Sequence, residues 1–148
     1  PTVIAGAVAA SAAAVVVIAV LPRDTELNRT KGGAHLGFAV QRGGAMRVGA
    51  TGEVVHPGDT LNYLVTTTKP AYVTVLGRDA RGRVTVYVPA ARVDAGRDVE
   101  LPIATRLDGT IGHEEIVAVF CADETAVSSA DAPPAGCTID RLAIEKAP

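Results

Sequence analysis

The chain has 148 residues and a mass of 15.1 kDa, room for one domain plus a tail or membrane segment and not for two substantial domains. Lys and Arg total 14 against 16 for Asp and Glu, so there is no basic surplus to neutralise a phosphate backbone, and nucleic acid is not an expected partner. The only aromatic residues are Phe38, Tyr63, Tyr72, Tyr87 and Phe120, with no Trp, which leaves little for base stacking or sugar platforms and a core to be built from Val, Leu, Ile and Ala.

No residue from Pro1 to Pro22 is charged, so all 30 charged residues fall in the remaining 126, about 24% of them, a usual soluble value. Val3 to Leu21 is 19 residues long, about 28 Å as a helix, which matches a hydrocarbon core of roughly 30 Å. Nine of the 19 are Val, Ile or Leu, a gain on the order of 3 to 5 kcal/mol on insertion before Gly6 and Ser11 subtract. This predicts a transmembrane helix over residues 1–22, against the alternatives of a signal-peptide core or a buried helix. The stretch is longer than a signal core and shows no basic flank before it. A chain that opens on Pro1 instead of Met implies processing or an upstream segment.

Residues 23–33 read as a polar juxtamembrane linker. Arg23, Arg29 and Lys31 follow the helix, and the positive-inside rule assigns such a flank to the cytoplasm. Cysteine argues the other way. Cys121 and Cys137 are the only cysteines, without the C-x-x-C spacing of a zinc or redox motif. A disulfide closing the 15 residues between them would stabilise by about 3 kcal/mol and needs an oxidising compartment. The alternative is two free buried thiols.

From residue 34 onward, short stretches rich in β-branched residues recur with turn signals between them, the mark of an all-β domain over 34–148. His35 to Gln41 alternates Leu36, Phe38 and Val40 on one face and ends at Gly43-Gly44. Val54-Val55 leads into the tight turn His56-Pro57-Gly58-Asp59, and Thr60 to Thr67 follows as a strand. Ala71 to Arg78 and Arg83 to Val88 flank Asp79-Ala80-Arg81-Gly82, a hairpin expected to be exposed with Gly82 at positive φ. Val99 to Ile103 contains a proline and reads as an edge or short strand. Glu115 to Cys121 has the dense apolar run of a mid-sheet strand. Ala122 to Gly136 is a loop with room for one helical turn after Asp123. Cys137 to Glu145 closes the domain ahead of a short basic end. Seven to eight strands with hairpins between neighbours imply an antiparallel β-sandwich.

R-T-K-G-G (Arg29 to Gly33), E-V-V-H-P-G-D (Glu53 to Asp59), A-Y-V-T-V-L-G-R-D-A-R-G-R-V (Ala71 to Val84), V-Y-V-P (Val86 to Pro89) and L-D-G-T-I-G-H-E-E-I (Leu107 to Ile116) together form a recognisable pattern. From Lys31 to Phe120 the chain resembles an uncharacterised bacterial domain of unknown function. That domain often follows one membrane helix in proteins whose cytoplasmic amino end looks like a zinc-binding anti-sigma factor. The resemblance implies that Pro57 to Asp59 opens a strand, that Asp79 to Gly82 links two strands ending in Tyr87 to Pro89, and that Gly112 and Glu114 precede the last core strand. It supplies no catalytic residues, and the zinc module is absent from this chain.

The residues nominate no chemistry. His35, His56 and His113 are too scattered for a zinc site. His113, Glu114 and Glu115 are strand neighbours of which at most two share a face. Ser128 and Ser129 lack a nearby His or a nucleophile elbow. Cys121 ends an apolar strand, where burial opposes thiolate formation. Asp79, Asp108, Glu114 and Glu115 stand at turns and strand ends, where acids are normally solvated. No enzyme activity, cofactor or metal is therefore expected. The expected function is a non-catalytic binding or sensing module in the periplasm, carried by a single-pass protein of the bacterial inner membrane and serving an anti-sigma-factor-like regulator. Its partner would be a protein or small envelope ligand, contacted through loops at Lys69-Pro70, at Asp79, Arg81 and Gly82, and at Asp108, His113 and Glu114. The alternative is a structural envelope domain without a signalling role.

Overall fold

In the computed structural model, residues 33–129 and 131–148 are described. The expected membrane helix and residues 23–32 of the linker lie outside them. Ten strands follow one another without a helix among the described residues: β1 (His35–Arg42), β2 (Ala45–Val48), β3 (Glu53–Val55), β4 (Thr60–Thr67), β5 (Ala71–Arg78), β6 (Val84–Val93), β7 (Gly96–Glu100), β8 (Thr105–Arg106), β9 (Gly112–Cys121) and β10 (Thr138–Lys146). They form two curled sheets. One has the order β2-β1-β4-β7, with β8 also paired to β4, and the other β3-β10-β9-β5-β6. Pairing is antiparallel throughout except between β3 and β10, which run parallel.

Strict alternation sends one side of each strand into a common core. Leu36, Phe38 and Val40 of β1 stand opposite Val65, Tyr63 and Leu61 of β4, and face Val73 and Val75 of β5, Ile116, Ala118 and Phe120 of β9, and Leu142 and Ile144 of β10. The two sheets meet along β1 and β10. There the buried Asp140 carboxylate accepts a hydrogen bond from the Leu36 amide at 2.7 Å and lies 2.8 Å from His35 Nδ1. β9 is central in its sheet, as its composition predicts, and from Ile116 to Cys121 both its faces are buried. Its outer residues Val117, Val119 and Cys121 pack with Leu76 beneath Val127 of the 122–136 loop. A disulfide between Cys121 and Cys137, with Cα atoms 4.4 Å apart, tethers that loop.

Four expectations change. β2 was not anticipated, because all four of its residues are exposed and carry no alternation. It forms because Gly43 and Gly44, both at positive φ, make a two-residue hairpin instead of merely ending β1. β6 continues past Pro89 to Val93 because it is the edge strand of its sheet, where a missing N–H removes no ladder bond. The 99–103 strand is shifted to Gly96–Glu100, leaving Pro102 outside the ladder, although its edge position stands. No helical turn forms between 124 and 129.

Candidate functional site

β5 places the proposed interaction loops at opposite ends of the domain. Pro70 precedes Ala71 and Asp79 follows Arg78, a separation of about 30 Å along an extended strand. Lys69-Pro70 is an exposed corner at one end, closed by a hydrogen bond from the Thr67 hydroxyl to the Lys69 carbonyl at 2.8 Å. At the other end the 79–82 hairpin meets the 107–112 loop, because Arg83 Nη2 reaches Asp108 Oδ2 at 3.3 Å. The 56–59 turn joins them: the Gly58 amide donates to the Leu107 carbonyl at 3.0 Å, and the Leu107 amide to the Asp59 carbonyl at 2.8 Å.

Two of these turns are built around buried carboxylates. Asp59 is 3% exposed. It accepts Arg42 Nε at 2.7 Å, Arg42 Nη2 at 2.6 Å and the His56 amide at 2.9 Å. The Arg42 hydrogen bonds, opposed by burial and reinforced by the amide, hold its carboxyl below the usual range. In the hairpin, Arg81 and Gly82 are exposed as expected, but Asp79 is buried. It accepts the Arg81 and Arg83 amides at 2.9 Å each and Arg83 Nε at 3.2 Å. These amides, the Arg83 amide foremost, hold its carboxyl below the usual range against the cost of burial. A turn carboxylate that caps its own loop must face inward, which is why the expectation of a solvated Asp79 fails.

Glu114 corrects the sequence reading more sharply. Gly112 and His113 belong to β9, not to a loop before it, and Glu114 is fully buried on the inner face. The parity of β9 sets it in line with Ile116, Ala118 and Phe120. Its Oε1 accepts the Tyr87 hydroxyl, and its Oε2 lies 2.7 Å from Lys146 Nζ. Despite that distance Oε2 receives no well-aligned hydrogen bond. The same Nζ donates to Asp108 Oδ1 at 2.7 Å. The Tyr87 and Glu114 motifs, separate in the sequence, are thus one contact. A bulge brings Tyr87 there: Val75 pairs with Val88 and Leu76 with Val86, leaving Tyr87 unopposed. Its ring lies against Gly77 and stacks with Tyr63, centroids 6.4 Å apart.

Lys146 belongs to β10 instead of a short basic end, and its side chain is 2% exposed. Burial by itself would lower its affinity for a proton, but the Asp108 hydrogen bond and the adjacent Glu114 carboxylate outweigh this and raise it. The Lys146 hydrogen bond first, and then those from Thr110, lower the Asp108 carboxyl against the cost of burial. Burial and the Glu114 carboxylate both raise the Tyr87 hydroxyl, keeping it protonated. Above this network opens a cavity of about 210 Å³ bordered by Arg83, Thr85, Tyr87, Arg106, Asp108 and Lys146.

His113 and Glu115 point to the outer face, as alternation requires. They border a shallow groove of about 690 Å³ with Arg78 and Arg141. His113 Nδ1 is 2.6 Å from Glu145 Oε1. Among the described residues no three His, Cys, Asp or Glu side chains are placed to hold a metal ion, and Cys121 is committed to its disulfide. Of the sequence candidates, the structure gathers Asp79, Arg81, Gly82, Asp108 and Glu114 at one end. It sets His113 at the same end but on the outer face, in the groove it shares with Asp79 and Gly82, and Lys69-Pro70 at the far end.

The fold and this polar end define a class: an all-β domain of two curled, mostly antiparallel sheets with a charged network closing one end of the core. More narrowly, residues 54–124 match the family described as domain of unknown function (DUF4384), which agrees with the resemblance from Lys31 to Phe120 in its unknown function and most of its extent. The matched region runs from β3 through β9 and includes Tyr87, Asp108 and Glu114 but not Lys146. No curated protein and no solved structure matches the chain.

Proposed function

We propose that the domain is a β-sandwich binding module without catalytic activity, following a membrane anchor on the periplasmic side of the bacterial inner membrane. It contacts its partner, a protein or a small envelope ligand, through the end formed by residues 56–59, 79–83 and 106–112. The observation that carries this reading is the convergence of the 79–83 hairpin and the 106–108 segment around the cavity over Lys146, with the 56–59 turn hydrogen-bonded to Leu107 beside them. Polar loops displayed at one end of a rigid scaffold are a common recognition surface. The anti-sigma-factor-like role rests on the sequence resemblance, which places such domains after one membrane helix. A structural envelope role is the second reading, favoured by the disulfide and the buried charge network, both of which brace the fold.

A photo-crosslinking residue at position 81 or 106, both exposed, is the direct test, with position 69 as the comparison. In intact cells, adducts from 81 and 106 and none from 69 support the binding end. Equal labelling from all three, or none, favours the structural reading. A reporter enzyme active only outside the cytoplasm, fused after Pro148, tests the orientation, and an inactive fusion overturns it.

A further inference from the structure

We propose that Lys146 and Glu114 become joined by an isopeptide bond that the folded domain forms by itself. The two are diagonal neighbours on the inner faces of adjacent strands, since Gly112 pairs with Lys146 and Glu114 with Ile144. Nζ stands 2.7 Å from Oε2, with side-chain exposures of 2% and 0%. Both side chains are buried, yet Oε2 accepts no aligned hydrogen bond from the ammonium. An amine in contact with a carboxyl oxygen is also close to its carbon, the atom it must attack. The two remaining groups supply what an acyl transfer needs. Asp108 takes an aligned hydrogen bond from the same Nζ at 2.7 Å and, being 53% exposed, exchanges protons with solvent. Tyr87 donates its O–H to Oε1, where negative charge grows during attack.

The step balances without a co-reactant. Lys146 ammonium gives one proton to Glu114 Oε2, 2.7 Å away, and the freed electron pair attacks Glu114 Cδ, forming the C–N bond. The C–Oε2 bond then breaks, and Oε2 leaves as water with two of the three ammonium protons, the second passed through Asp108. The third stays on the amide nitrogen, and Oε1 becomes the amide carbonyl, still hydrogen-bonded to Tyr87. One positive and one negative charge become a neutral amide. Two effects favour it. The fold holds nucleophile and carboxyl in contact, replacing a bimolecular encounter, and the product removes a buried ion pair whose desolvation opposes folding. The bond would fasten the last strand to the central one. It is independent of the binding role proposed above.

Mass spectrometry of the purified full chain, denatured and with its disulfide reduced, tests this. The expected mass is one water below that of the sequence. Trypsin should leave 107–141 attached to 142–148, and fragmentation should place the link between Glu114 and Lys146. Lys146→Arg keeps the cation but cannot form the amide, and must give the full sequence mass. A wild-type chain at the full sequence mass overturns the proposal, as does a link mapped to Asp108 or a water loss that survives in Lys146→Arg. The readout is taken on unfolded protein, so a destabilised variant still reports.

Discussion

Replacing Gly77 by Ala should dislodge Tyr87 from the Glu114 carboxylate. A Cβ at Gly77 would lie 2.2 Å from Cε2, 2.4 Å from Cζ and 2.6 Å from the hydroxyl oxygen of Tyr87, whereas non-bonded carbons settle at about 3.5–4.0 Å. The ring must retreat by more than about 1 Å, and its hydroxyl leaves a buried carboxylate. A hydrogen bond to a charged group contributes about 1.5–3 kcal/mol, and the disturbed stack on Tyr63 adds about 0.5–1.5 kcal/mol. Reduced freedom of the unfolded chain returns about 0.4–1 kcal/mol. The net expected loss is about 2–3 kcal/mol. Urea unfolding followed by circular dichroism reads it: with a slope of about 1–1.5 kcal/mol/M for a domain of this size, the midpoint should fall by about 2 M. Gly37→Ala is the control, since a Cβ there meets Leu64 at ordinary distances of 3.6 and 3.8 Å, and it should stay within about 0.5 kcal/mol of the parent. Two variants of equal stability, or no loss in Gly77→Ala, would refute the claim that a bare backbone at position 77 holds Tyr87 in place.

Three other outcomes follow from the same geometry. Gly82 has φ +78 with open space around it, so Gly82→Val should cost about 1–2 kcal/mol through left-handed backbone strain alone, and a variant as stable as the parent in urea would remove the strain argument. Cys121→Ser should lower stability by about 3 kcal/mol in oxidising buffer and much less under reductant, whereas equal losses in both would show that packing against Val119 and Val127 matters more than the bond. Asp59 has a depressed carboxyl, so its contribution is present above the unfolded value near about 3.9 and lost as pH falls through the lower folded value. Asp59→Asn should therefore lose about 1–3 kcal/mol at neutral pH, and the gap from wild type should close as pH drops below about 3. A gap that persists to low pH would show that the charge is not what the turn needs.

Local sequence determined much of the scaffold. Alternation in Thr60 to Thr67 and the apolar density of Ala71 to Arg78 mark β4 and β5 at their observed bounds, because a strand with one face in a core must repeat every two residues. The 56–59 and 79–82 turns were legible because Pro57, Gly58 and Gly82 each meet a backbone requirement that few other residues satisfy. Parity also carried an unread signal, since Glu114 and Lys146 each share a face with the apolar residues two positions away, Ile116 and Ile144. The tertiary structure alone decided that these two inward charges meet, that Tyr87 reaches them, and that Asp108 completes the group. Such a meeting depends on the order β3-β10-β9-β5-β6, on the β9–β10 register and on the bulge in β6. Lys69-Pro70 and the 79–82 hairpin part because they flank one strand, β5, but which other turns join either end depends on where the chain crosses between sheets.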